Sequence, residues 1–150
     1  MDALDRAILR HLQADGRLTN VELADRVRLS PSPCLRRVRV LERDGVIRGY
    51  HADIDPAAVG RGFEVTVHVE LTLKDRATVE AFEAGLAAFD EVVECRRMFG
   101  LPDYVVLVAV ADQAEYEAFY MNKLAELPRL ARVNSQFTMK MVKHSGPVPV

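Results

Sequence analysis

Six arginines stand between residues 28 and 50, at positions 28, 36, 37, 39, 43 and 48, and only Glu42 and Asp44 oppose them in that stretch. Guanidinium groups at this density suit a polyanion. Each supplies charge for a phosphate and a planar fork that matches the acceptor pair of a guanine edge. Ser30-Pro31 reads as an N-cap followed by an N1 proline, and the helix it opens is predicted to stop at Asp44-Gly45. Along it Cys34, Val38 and Leu41 recur at helical spacing and turn toward a core. Ser32, Pro33, Arg36, Arg37, Arg39 and Arg43 are left on the outer faces. No acid falls between residues 31 and 41. The helix start, where Ser30 and Ser32 are small residues beside free N–H groups, lets a phosphate approach closely. Val46 to Tyr50 reads as a short extended wing in which Arg48 adds a backbone contact. Taken alone, an arginine-rich helix is often only a solvated face. The elements around this one argue for more.

A second candidate lies at Gly100-Leu101-Pro102-Asp103-Tyr104. A glycine-containing hairpin exposes backbone N–H groups to a carboxylate, and Asp103 offers a partner for an ammonium. Elsewhere the chemistry-bearing types are scattered. His11, His51, His68 and His144 lack metal-ligand spacing, and Cys34 and Cys95 stand alone. No phosphate loop, nucleophile elbow or paired-carboxylate arrangement occurs, so no metal, cofactor or catalytic set is expected.

The elements that must hold these residues follow from periodicity. Asp2 caps a helix carrying Leu4, Ile8 and Leu12, with Gly16 expected in the left-handed position after its end. Thr19 and Glu22 form a capping box for a short second helix with Val21, Leu23, Ala24 and Val27. Three short helices with a tight turn before the third make a helix-turn-helix. Asp53 to Gly62 carries Pro56, Gly60 and Gly62 and reads as a linker. Beyond it the period changes to two. Glu64 to Leu73 alternates strictly, as a half-buried strand does. A helix with Val79, Phe82, Leu86 and Phe89 follows, then strands at Val92–Phe99 and Tyr104–Val110. A helix opened by Asp112 and Glu115 and a last strand at Val133–Val142 complete the order βαββαβ, a ferredoxin-like arrangement. Its second sheet face carries few charges and is expected to pair with another subunit. The expected layout is a winged helix-turn-helix at 1–50, a linker at 51–62, a ferredoxin-like domain at 63–143, and a tail at 144–150 that frays from Gly146. The fold class is therefore α+β.

Composition sets the outer limits. The chain has 150 residues, 49% hydrophobic and 28% charged, with a net charge of −2. These values exclude a disordered chain and describe a globular one. The start, MDALDRAIL, lacks the basic and apolar regions of a signal peptide, and no apolar run approaches the roughly 18 residues of a membrane span. A cytoplasmic, nucleoid-associated location without membrane contact is the expectation. Residues 1–55 sum to +1 and residues 56–150 to −3, so the global figure hides the basic segment.

The chain resembles the leucine-responsive regulator/AsnC family, the feast/famine transcriptional regulators. The residues that carry the likeness are Leu4-Asp5-Arg6, Asp15-Gly16-Arg17 and Asn20-Val21-Glu22-Leu23-Ala24. The stretch from Leu29 to Arg39 with Gly45-Val46-Ile47-Arg48-Gly49-Tyr50 is the most specific. Glu94-Cys95, Gly100 with Asp103-Tyr104, Leu127-Pro128 and Val142-Lys143 extend it. The resemblance implies a DNA-binding regulator whose DNA binding or assembly responds to an amino-acid effector. It further implies a pseudo-palindromic site on double-stranded DNA, and a homodimer that assembles into a tetramer of dimers. It places the effector near Gly100 to Tyr104. There the family often has an acid where this chain has Leu101. On the last strand it points to Ser135 and the adjacent Gln136, one of which should face the site by alternation. Another reading, an amino-acid-binding module acting through protein contacts, fits the second domain but leaves the arginine-bearing helix without a purpose. An enzyme is the weakest reading.

Overall fold

Asp2 opens α1 (Ala3–Ala14) by a reciprocal capping box: its carboxylate accepts the Asp5 N–H and the Asp5 carboxylate accepts its own. Thr19 and Glu22 do the same for α2 (Asn20–Arg26). Ser30 occupies the N-cap position of α3 (Pro31–Arg43) with Pro31 in the first turn, and Gly45, at φ 71°, takes the left-handed position after its end. Ile8, Leu9, Leu23, Ala24, Val27, Cys34 and Leu41 bury themselves together as the core of these three helices. The turn between α2 and α3 holds Arg28 at φ 57°, a conformation that costs a residue with a Cβ roughly 1–2 kcal/mol.

The structure, a computed structural model, describes residues 1–143 and 146–150. His144 and Ser145, the first positions of the expected tail, lie outside the described residues. Two compact units result: Met1–Asp53 with Val142–Val150, and Ile54–Met141.

The second unit is built on the two-residue alternation of β1 (Phe63–Leu71), whose odd positions Val65, Val67, Val69 and Leu71 are buried. They meet the inner residues of β3 (Tyr104–Val110) and the helices α4 (Arg76–Ala87) and α5 (Gln113–Asn122), with Phe82, Leu86, Tyr116 and Phe119 filling the core between. With β2 (Val92–Arg97) and β4 (Leu130–Phe137), the sheet runs β2-β3-β1-β4, antiparallel throughout. That is the expected βαββαβ order, with helices on one face. Gly85 in α4 sits where an added Cβ would come within 2.4 Å of the Leu127 side-chain tip, so a side chain there would make Leu127 shift.

Four local expectations change. Gly16 does not take the left-handed position. Asp15 instead leaves α1 in extended conformation and its carboxylate accepts the Arg17 N–H, turning the chain by a side-chain bond. The wing carries no ladder: the Val46 and Ile47 N–H groups both donate to the Leu41 carbonyl, and residues 48–53 pair with no strand among the described residues. Strand β4 lies earlier than predicted, because its only partner is β1. Pairing starts with Thr72 donating to Arg129 and stops with Thr138 donating to Glu64, which leaves Met139 and Met141 beyond the sheet. The end of the chain is not frayed but belongs to the first unit, where Val150 packs on the helical core.

Candidate functional site

The α3 face is assembled by contacts that hold the helix at both ends. At its start the Asn20 amide donates to the Pro31 carbonyl at 2.9 Å, linking α2 to α3. Along its length Cys34 and Leu41 anchor it to the core. Ser30, Ser32, Arg36, Arg39, Arg43 and Arg48 are exposed, and Pro33 is half-buried. The Ser30 hydroxyl makes no cap bond, so it stays free at the helix start. Arg43 leans on its neighbour Asp44, whose carboxylate accepts from it at 2.9 Å.

Arg37, predicted to contact DNA, has partners within its own chain. Its guanidinium donates to Asp2 at 2.8 Å and to Asp5 at 2.7 Å, bridging α3 to the capping box of α1. The two carboxylates raise the Arg37 pKa. In turn, the Asp5 N–H, helped by the Arg37 guanidinium, holds Asp2 below its ordinary value against the opposing effect of burial. A cation spent on two acids of its own chain has little charge left for a phosphate. Arg37 is thus a clasp between helices. The signal was present in the sequence, since Asp2 and Asp5 share one helix end, but their capping role accounted for them locally.

The turn from Gly100 to Tyr104 borders a cavity of 490 Å³ whose wall also includes Lys74, Arg97, Met98 and Phe99. Gly100 adopts φ 122°, which a side chain would strain. Leu101 and Phe99 are fully presented to solvent, whereas Asp103 turns inward and is 9% exposed. One Asp103 oxygen accepts the Leu71 N–H at 2.8 Å and the other meets the Lys74 ammonium at 2.6 Å. Burial alone would raise this carboxyl, but Lys74, the Leu71 N–H and Arg97 outweigh it and hold the pKa below the ordinary value. Asp103 therefore braces the hairpin against the end of β1, and both its oxygens are committed, contrary to the expected free partner for an ammonium. Tyr104 is buried, and its hydroxyl donates to Glu83 at 2.9 Å. Burial, reinforced by that carboxylate, pushes its pKa up to about 12.

Ser135 and Gln136 do not join this turn within one chain. Ser135 pairs with Val67 on the helix-covered face, where its hydroxyl shares a hydrogen bond with Tyr116. Gln136 pairs with Thr66 on the open face. Tyr104 pairs with Val69, so Ser135 stands two strands and two residues away from it. The cations Lys74 and Arg97 were missed in the sequence. Lys74 follows β1 and Arg97 ends β2, and only the β1–β3–β2 register brings both beside Gly100. Among the described residues no cluster of three His, Cys, Asp or Glu could hold a metal ion, and no helix is long and apolar enough to cross a membrane.

Comparison with known proteins agrees with both halves. Residues 1–48 match the family described as winged helix-turn-helix DNA-binding, and residues 64–148 match the Lrp/AsnC ligand binding domain. The leucine-responsive regulatory protein of Escherichia coli K12 is 38% identical over 146 residues, which cover 97% of this chain and 89% of that protein. That of Rhizobium meliloti is 38% identical over 150 residues, 100% of this chain and 96% of that protein. Among solved structures, an AsnC family transcriptional regulator from Agrobacterium tumefaciens superposes with a TM-score of 0.93 at 40% identity, covering 99% of this chain and 97% of that one. A transcriptional regulator from Neisseria meningitidis, in complex with L-Met, gives 0.94 at 36% identity, covering 99% and 96%. With a helix-turn-helix in front of a βαββαβ ligand-binding domain and both matched along their length, the chain belongs to the Lrp/AsnC family of DNA-binding transcriptional regulators.

Proposed function

We propose that this chain regulates transcription by placing α3 in the major groove of double-stranded DNA, and that an amino acid bound near Gly100 modulates its DNA binding or assembly. The observation that carries the DNA half is the outer face of α3 over residues 31–41, which holds no acid and where Arg36 and Arg39 are exposed and, among the described residues, make no bond to another side chain. Ser30, Ser32 and Pro33 lie at the helix start for a phosphate, with Arg43 and Arg48 as flanking backbone contacts. Arg37 serves from behind by holding the helix. The protein is a regulator and not an enzyme, acting in the cytoplasm on the nucleoid.

For the effector, the cavity supports a zwitterion with an apolar side chain. Arg97, held only loosely by Glu83 at 3.6 Å, supplies a cation for its carboxylate beside Lys74, which is shared with Asp103; the Gly100-Leu101 backbone supplies polar contacts, and Met98, Phe99 and Leu101 supply apolar surface. The L-Met bound by the Neisseria relative is consistent with this chemistry. Asp103 and Tyr104 shape the turn. Gln136 goes with the open sheet face, which we assign to a homodimer that assembles further, in line with a pseudo-palindromic DNA site. Calorimetry with the twenty amino acids tests the effector reading: an apolar amino acid binds, and Arg97→Ala weakens it. A flat response to all twenty removes the proposal.

A further inference from the structure

The end of the chain reads Pro147-Val148-Pro149-Val150. Prolines at alternate positions hold the backbone extended at little entropic cost, and extended backbone sends Val148 and Val150 to the same side. Both valines line a groove of 760 Å³ in the helical unit, walled by α1 through Leu9 and Leu12 and by the wing through Ile47 and Tyr50. The Gln13 side chain brackets Val148 from both directions: its amide nitrogen donates to the Val148 carbonyl at 3.1 Å, and its oxygen accepts the Val148 N–H at 2.6 Å. Arg10 donates to the Val150 carbonyl at 3.1 Å. Three directional bonds hold Val148 and Val150, and Val150 is half-buried against the helical core while the Val148 side chain stays largely exposed.

The path of the chain gives this contact a consequence. It leaves the helical unit at Asp53, runs through the whole sheet unit to Met141, and returns to the helical unit at Val142. We propose that Pro147–Val150 is a strap seated in the α1–wing groove of its own chain, so that the DNA-reading unit is tethered to the effector domain at two points. With one tether the head would swivel about a single linker. With two, α1 is held through the strap as well as through the linker. The role in DNA binding rests on reading residues 1–53 as the DNA-binding unit, whereas the seat of the strap does not.

The test uses the full chain. In a Cys95→Ser background, Gly16→Cys and Val148→Cys, which line the same groove and leave Gln13 in place, are treated with a short bis-maleimide. The strap predicts cross-linked monomer on a denaturing gel; a covalent dimer, or no cross-link, overturns own-chain seating. Separately, Val150→Asp puts a charge against the helical core and leaves every α3 arginine in place. Hydrogen exchange at the Val148 amide should speed up at least tenfold, and affinity for promoter DNA should fall at least threefold. A Val148 amide that already exchanges freely in the parent chain, or an unchanged affinity, overturns the tether. A parent chain that cross-links as predicted yet binds no DNA refutes the DNA reading and leaves the strap seated.

Discussion

The outer face of α3 and the Gly100 hairpin are both rich in polar side chains, yet they use them in opposite ways. On α3, Arg36 and Arg39 are exposed with no side-chain partner among the described residues, and the Ser30 hydroxyl makes no cap bond. At the hairpin, Asp103 is committed to Leu71 and Lys74, and Tyr104 to Glu83. Depth explains the contrast. A buried polar group must find a partner inside the protein or lose on the order of 1–3 kcal/mol, while an exposed one keeps water until a ligand replaces it. The hairpin therefore presents its backbone and flanking cations, and α3 presents its side chains.

The largest expected effect is at Asp103. Asp103→Ala leaves the buried Leu71 N–H unpaired and should cost about 2–3 kcal/mol of effector-domain stability, against roughly 1 kcal/mol for Asp103→Asn, which keeps an acceptor. Denaturant unfolding measures both. A fully stable Asp103→Ala that no longer binds an amino acid would turn Asp103 from a brace into a ligand contact. The carboxyl titrates below its ordinary value when folded. Its contribution is thus complete above about pH 3.9 and is lost as pH falls through the folded value.

Next come the arginines. Arg36→Ala or Arg39→Ala should weaken promoter binding by about 1–3 kcal/mol where the side chain reads a base. Where it holds a phosphate, the salt slope should fall by about one. Both proteins should melt like the parent, because neither side chain has an internal partner. Arg37→Ala and Asp5→Ala should do the reverse, lowering the melting temperature together while leaving the salt slope intact. If Arg37→Ala instead changes the slope and Asp5→Ala is silent, the clasp is wrong. The smallest effect is in the turn before α3, where Arg28→Gly relieves the left-handed strain and should add about 1 kcal/mol of stability.

The same contrast decides what could be read from the sequence. Local signals carried the fold. The capping boxes at Asp2 and Thr19, Ser30-Pro31, and the alternation of β1 specify their elements through neighbours a few residues away, and all are present. The exposed arginines were equally legible because their environment is solvent. What was not legible depends on partners distant in the chain. Arg37 meets acids more than 30 positions earlier. Asp103 meets Leu71 and Lys74 across the sheet. Ser135 is claimed by Tyr116. The limits of β4 were missed for the same reason, since they are set by the length of β1 and not by the residues of β4.

The central claim is that the free arginine face of α3 holds DNA. The direct measurement is the affinity of the full protein for its own promoter DNA across salt concentration, for the parent chain and for Arg36→Ala/Arg39→Ala. The account predicts a steep linear fall of log affinity with log salt in the parent and a shallower, weaker line in the double variant. A flat line in the parent, or identical lines for the two proteins, would contradict it.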